Sequence, residues 1–177
     1  MRVLLKKLSF SNMFSYGLNN VLDLTTNSIS QLLANNGSGK SSLAIIIQEV
    51  LYNKNIKGLK KSDILNRYTT SKSWDAKLEF SVDTSEYVVT SKRVGASTAV
   101  SFYENGKDIS EHKVLDTYKK IADVIGRDFE TFSQLTYQSS TDSLEFLKAT
   151  DTNRKKFLVN LFNLSRYLEI GEELKTN

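Results

Sequence analysis

The sequence predicts an α/β fold of α+β character: a mixed sheet around one buried helix, an antiparallel β-meander, and helices at the end. Three observations predict it. A glycine-rich stretch, "ANNGSGKSS" at 34–42, runs straight into an apolar segment of helix length. Residues 74–82 alternate apolar and polar without a break. After residue 113, apolar residues recur at helical spacing.

The elements follow in order. Residues 3–10 read as a strand, because Leu8 and Phe10 alternate with Lys7 and Ser9. Val21–Leu24 pairs with it after a turn at Gly17–Asn20. Ser28–Leu33 reads as a third short strand feeding the glycine-rich loop. Ser41–Asn53 is a helix with little polar face, since Leu43, Ala44, Ile45, Ile46, Ile47, Val50 and Leu51 nearly encircle it, so it is expected to be buried. In the strand at 74–82, Trp74, Ala76, Leu78, Phe80 and Val82 share one face, and Asp75, Lys77, Glu79 and Ser81 share the other. "DTSE" (83–86) turns the chain into Tyr87–Val94, and "GAST" (95–98) turns it into Ala99–Tyr103. "ENGK" (104–107) signals a hairpin, because Asn-Gly accepts positive φ. A helix after Ser110 carries the stripe Val114, Tyr118, Ile121, Ile125 and stops at Gly126. Asp128 caps a short helix over 128–135. A last helix starts near Thr150–Asp151 with the stripe Phe157, Leu161, Leu164, Leu168.

Composition narrows the function classes. A chain of 177 residues suffices for one domain with a real core, and residues 1–177 read as a single domain. The net charge of +4 permits a nucleic-acid partner without requiring one. No cysteine is present, which excludes disulfides and cysteine-held metal within these residues and suits a reducing, cytoplasmic setting. The longest apolar run, Leu43–Ile47, is too short to span a bilayer, and the N-terminus lacks a signal-peptide pattern.

The glycine-rich stretch carries the chemistry. A phosphate-binding loop works because backbone N–H groups face a concavity and the following helix adds its positive end. Asn35, Asn36, Gly37, Ser38 and Gly39 form the candidate cradle, with glycines letting the backbone approach phosphate closely. Lys40 supplies a full charge for β- and γ-phosphates, the Ser41 hydroxyl suits Mg²⁺, and Ser42 can donate to the α-phosphate. The pattern G-x-x-x-x-G-K-[ST] is broken at its first position, where Ala34 stands. The break is harmless if Ala34 lies in ordinary β space.

Hydrolysis needs more. No run of four apolar residues ends in an acidic residue, and no second glycine-rich motif occurs. The expectation is a nucleotide site whose remaining parts lie on another polypeptide or a later stretch; the abrupt end suggests a piece of a longer chain. Two alternatives stay open. A self-contained P-loop NTPase or kinase with no DNA role would turn over unaided. A non-enzymatic DNA-binding scaffold with a decayed loop would bind duplex regardless of ATP.

"LKKLSFSNMFSYG" at the start, "ANNGSGKSS", "TYQSS" (136–140) and "FLKATDTNRKKFLVNLFNLSRYLEI" (146–170) occur in the order seen in SbcC-type DNA-repair ATPases, within the wider group of SMC and ABC-type ATPases. The chain resembles an N-terminal head lobe of that family, most closely the large subunits of phage recombination exonucleases. The resemblance implies an ABC-type ATPase lobe leading toward a coiled coil, whose root would begin near 165–177. It implies ATP and Mg²⁺ as ligands, with Gln138 joining Ser41 on the metal and Lys40 and Gln138 as the catalytic residues. It implies a C-terminal lobe carrying the signature motif and acidic pair, a second head, a partner nuclease, double-stranded DNA, and a host-cytoplasm location. Phe14 departs from the family, which often has arginine there. Residues 57–63 fall where relatives approach adenine.

Arg154, Lys155 and Lys156 are candidate DNA-backbone contacts at the coiled-coil root, and Lys92 and Arg93 are weaker ones, beside the competing reading of a solvated face. His112 has no partners for a metal site, and Trp74, Phe80 and Val82 read as core rather than as a base-stacking platform.

Overall fold

A computed structural model describes residues 2–25, 29, 31–136, 149–162, 164, 167 and 171. The chain divides into two compact units, Met1–Ile125 and Gly126–Asn177.

The first unit is organised by a six-stranded antiparallel sheet in the order β2-β1-β3-β4-β5-β6. The strands are β1 (Val3–Ser11), β2 (Asn20–Asp23), β3 (Ser73–Val82), β4 (Ser85–Val94), β5 (Ser97–Glu104) and β6 (Lys107–Asp108). Period-two alternation sets the register, because a slip of one residue would move every apolar side chain to water. Leu78 therefore pairs with Leu8 on one side and Val89 on the other, and Val89 with Phe102. All four are fully buried. Phe80, Tyr87 and Phe102 form an aromatic cluster across three strands, with ring centroids 5.5–6.5 Å apart. The β5–β6 turn places Asn105 and Gly106 at φ 49° and 82°, as the Asn-Gly pair predicts.

Helix α1 (Lys40–Tyr52) lies against β3 and β4, and α3 (Val114–Ile125) lies against β5 and α1; a single turn, α2 (Lys61–Ile64), comes between α1 and β3. Leu43, Ile45, Ile46, Val50 and Leu51 are buried, as an almost wholly apolar helix requires. Tyr118, Ile121 and Ile125 carry the buried side of α3, and Gly126 follows at φ 66°. Trp74 and Phe80 are core, while Val82 is only half-buried.

In the second unit, α4 (Phe129–Thr136) is capped as predicted: the Thr131 N–H donates to Asp128 Oδ1 at 2.8 Å. Helix α5 (Asp151–Leu161) begins where predicted but ends before Leu164. There the Leu164 N–H reaches back five residues to the Val159 carbonyl (2.8 Å), so the regular i to i−4 ladder stops; Leu168 lies outside the described residues. Leu158, Phe162 and Leu164 are exposed. The coiled-coil root at 165–177 lies almost wholly outside the described residues.

One predicted strand is not found among the described residues. Of Ser28–Leu33, the described residues 29 and 31–33 are not strand, and Ile29 and Leu33 are 87% and 82% exposed. A strand exists only by pairing, and none of the six strands takes this segment as a neighbour.

Candidate functional site

The glycine-rich loop joins that unpaired segment to α1. Gly37 and Gly39 stand at φ 82° and 93°, a region that L side chains rarely enter. Ala34 has no positive φ, so the missing first glycine costs nothing in backbone strain. The Ser38 N–H donates to the Asn35 carbonyl (3.3 Å) and the Ser42 N–H to the Gly39 carbonyl (2.9 Å), which curls the backbone between them. Gly39 is the N-cap of α1, and no side chain caps that terminus. The positive end of a buried helix thus meets the loop without a competing side-chain acceptor.

Lys40 Nζ donates to the carbonyls of Ala34 (2.5 Å) and Asn35 (2.8 Å), so the ammonium is folded back over the loop. Asn35, Asn36, Ser38 and Ser41 are exposed, and Ser42 is half-buried. Residues 35–42 follow one another along a single curl, with one cation, Lys40, and three hydroxyls, those of Ser38, Ser41 and Ser42. Gln138 lies outside the described residues.

Sequence reasoning missed what holds the curl. The Tyr16 hydroxyl donates to the Gly39 carbonyl at 3.1 Å, and its ring packs edge-on against Phe10 at 5.1 Å. Burial raises the Tyr16 pKa, which keeps the hydroxyl a donor. A Cβ at Gly39 would come within 2.8 Å of Ser15 Oγ and 3.1 Å of the Tyr16 ring, so this glycine is demanded by φ and by space. The Asn12–Tyr16 turn is fixed in turn by Asn66, whose side-chain amide donates to the Tyr16 carbonyl (2.9 Å) and whose N–H donates to the Asn12 carbonyl (2.9 Å). Phe14 sits in this turn at φ 55°, its N–H donating to the Ile64 carbonyl at 2.6 Å. The signal was the stretch "NMFSYG" itself, but nothing local in it points 23 residues ahead to the loop.

The far end of α1 is also anchored. Glu49 is fully buried, and its carboxyl group accepts from the Lys61 ammonium and from the Asn55 amide (2.6 Å). A buried carboxylate is tolerable only when paired in this way.

The weaker candidates scatter. Arg154 pairs with Asp151 at 3.4 Å in the first turn of α5, with Lys155 and Lys156 exposed beside it. Lys92 and Arg93 are adjacent on β4 and so point to opposite faces of the sheet: Lys92 is exposed, whereas Arg93 is half-buried and donates to Thr98 Oγ1 at 3.3 Å. They do not form one patch. His112 is exposed, and among the described residues no cluster of three or more His, Cys, Asp or Glu could hold a metal ion. Among the same residues no helix is long and apolar enough to cross a membrane.

No protein-family model matches the chain. It is 43% identical over 99% of its length to the probable exonuclease subunit 2 of Escherichia phage T5, and 24% identical over 82% of its length to the DNA double-strand break repair Rad50 ATPase of Methanococcus maripaludis. The likeness to SbcC-type ATPase lobes holds. The chain spans only 29% and 14% of those two relatives. Among solved structures, an SMC ATPase matches over 89% of this chain and 99% of its own (TM-score 0.61, 19% identity). The recombination mediator RecF bound to ATP matches over 98% of this chain and 42% of its own (TM-score 0.59, 16% identity). At these identities the structures speak to the fold alone, and the fold is that of an ABC-type ATPase lobe of the SMC and RecF kind.

Proposed function

We propose that this chain is the ATP-binding, N-terminal lobe of the ATPase subunit of a DNA double-strand-break repair or recombination nuclease complex. The observation that carries the reading is the 43% identity to a phage exonuclease subunit across 99% of the chain. The loop geometry supports it, since two glycines at positive φ lead into an uncapped helix terminus, where an anion is favoured, with Lys40 beginning the helix.

The residues present fit ATP and Mg²⁺. Backbone N–H groups of Asn36–Gly39 and the side chain of Asn35 would border the phosphates. Lys40 would leave the Ala34 and Asn35 carbonyls for the β- and γ-phosphate oxygens, exchanging neutral acceptors for charged ones. Ser42 would donate to the α-phosphate. Ser41 and Gln138 would hold the metal, which neutralises phosphate charge when bound. Among the described residues no cluster of three or more His, Cys, Asp or Glu could hold that metal, so the oxygens this chain would offer it are hydroxyl and amide ones, beside those of the phosphates. Turnover would need the signature motif and acidic pair of a C-terminal lobe and a second head. ATP would close the paired heads and gate a partner nuclease on DNA ends, with Arg154, Lys155 and Lys156 touching the DNA backbone. Residues 1–177 would act as one domain with the coiled-coil root near 165–177.

Calorimetric titration tests the site. Lys40→Ala is expected to lower ATP–Mg²⁺ affinity at least 100-fold, because one charge-assisted contact to each of two phosphates is lost. Undiminished affinity in that variant would place the nucleotide elsewhere. The unmodified chain is expected to bind without steady turnover until the C-terminal lobe is supplied.

A further inference from the structure

The Gly39 carbonyl is held twice. The Ser42 N–H donates to it from the first turn of α1 (2.9 Å), and the Tyr16 hydroxyl donates to it from the turn after β1 (3.1 Å). That carbonyl and the Lys40 N–H belong to one peptide unit, which is planar and trans, so the two groups point in opposite directions. Holding the carbonyl therefore aims the amide. Lys40 is the first residue of α1, and its N–H is among the donors that a helix leaves unbonded at its start. No side chain caps that terminus, so the amide is directed out of the helix end, where an anion is favoured.

Gly39 does not fix this plane by itself. It stands at φ 93° and ψ 10° with no Cβ, so its own sterics leave the unit free to turn, and residues 34–38 before it are exposed. Tyr16, in contrast, is pinned at both backbone groups and at its ring. Its N–H donates to the Met13 carbonyl (2.9 Å), and its carbonyl accepts from the Asn66 side-chain amide (2.9 Å). Its ring meets Phe10 edge-on, with centroids 5.1 Å apart. Met13 and Phe10 are buried, so the hydroxyl ends a short series of contacts that runs back to the core of the sheet. Ser15 backs the same glycine, its Oγ lying 2.8 Å from where a Cβ at Gly39 would stand.

We propose that Tyr16 is a positioning residue for the phosphate site: through the Gly39 carbonyl it sets the direction of the Lys40 amide before a nucleotide arrives. The inference rests on the proposed ATP site and adds to it a residue that acts through the backbone. Setting a donor in advance removes the cost of ordering it when the ligand binds, so the hydroxyl raises affinity without a ligand contact of its own. One neutral hydrogen bond bounds the effect at roughly three- to tenfold in affinity.

Calorimetric titration with ATP–Mg²⁺ compares the 177-residue chain with two variants. Tyr16→Phe removes only the hydroxyl, and Tyr87→Phe removes a phenol bond to Glu104 (2.6 Å) inside the sheet. Tyr16→Phe should bind about three- to tenfold more weakly with an unchanged far-ultraviolet circular dichroism spectrum, while Tyr87→Phe binds as the parent does. Parental affinity in Tyr16→Phe overturns the inference. So does an equal loss in Tyr87→Phe, because affinity would then follow a general loosening of the fold. Amide nuclear magnetic resonance gives a second reading. ATP–Mg²⁺ at saturation should move the Lys40 amide proton downfield in the parent and by less in Tyr16→Phe. An unmoved proton in the parent, or the same shift in both, overturns the inference as well. Lys40→Ala separates it from the reading it rests on. If that variant loses ATP while Tyr16→Phe keeps parental affinity, this inference alone falls; if Lys40→Ala keeps full affinity, the ATP site falls and this inference with it.

Discussion

In the meander, Leu78, Phe80, Val89 and Phe102 are all fully buried, and each has an apolar neighbour on the adjacent strand. In the segment entering the glycine-rich loop, Ile29, Leu32 and Leu33 are 87%, 49% and 82% exposed. The two stretches have similar apolar content, so hydrophobicity does not separate them. Partners do. The meander brings its own neighbours through turns at Asp83, Gly95 and Asn105–Gly106, whereas the entry segment has none among the described residues. A sheet is built from pairs, and an apolar run with no edge to join stays unpaired however strong its propensity. The proposed C-terminal lobe is where such an edge would come from.

The comparison breaks most visibly at Phe80. Its ring stacks with Tyr87 and Phe102 inside the meander. Phe80→Ala removes a fully buried aromatic from a site fenced by paired strands, and it should cost about 4 kcal/mol of unfolding free energy. Urea denaturation followed by far-ultraviolet circular dichroism measures it. A cost near 1 kcal/mol would mean that the sheet is no better packed than the loop entry.

A smaller effect comes where α3 meets the sheet. Tyr118 shares a buried hydrogen bond with Ser91 of β4, at 3.1 Å. Burial pushes its pKa up to about 12; the Ser91 bond partly opposes this, and the charge of Glu49 adds to it. A phenol ordinarily titrates near 10, so the unfolded chain sheds this proton first. Stability from this group is fully present below about pH 10 and declines as pH rises toward about 12. The total is about 3 kcal/mol, which Tyr118→Phe should abolish. Equilibrium unfolding across pH 9–12 in both proteins reads the difference; identical slopes would show that the hydroxyl is hydrated in the fold.

Legibility in the sequence follows the range of the contact. The strands at 3–11, 73–82 and 85–94 were readable because alternation is written in consecutive residues, and α1, α3 and the Asp128 cap because helical spacing and capping are equally local. The glycine-rich loop was readable for the same reason. What stayed hidden spans distance. Tyr16 holds Gly39 across 23 residues, Asn66 holds Tyr16 across 50, and Lys61 reaches Glu49 across 12. Ser28–Leu33 was misread by the opposite error: its residues suit a strand, but propensity does not supply a partner.

That misreading yields the smallest and sharpest test. Leu32→Ser with Leu33→Ser removes two large apolar side chains from the loop entry. If these residues are exposed because nothing in the chain covers them, the double variant loses no burial on folding. Its unfolding free energy should stay within about 0.5 kcal/mol of the parent, the usual range for surface changes. The same pair of substitutions inside a packed strand would cost several times more. Urea midpoints settle which applies. A loss above about 1.5 kcal/mol would show that the segment is covered within the chain and would erase the contrast with the meander. An unchanged midpoint, with weaker association once the C-terminal lobe is added, would show that the apolar face is reserved for that lobe, because only the assembled state would then register the missing leucines.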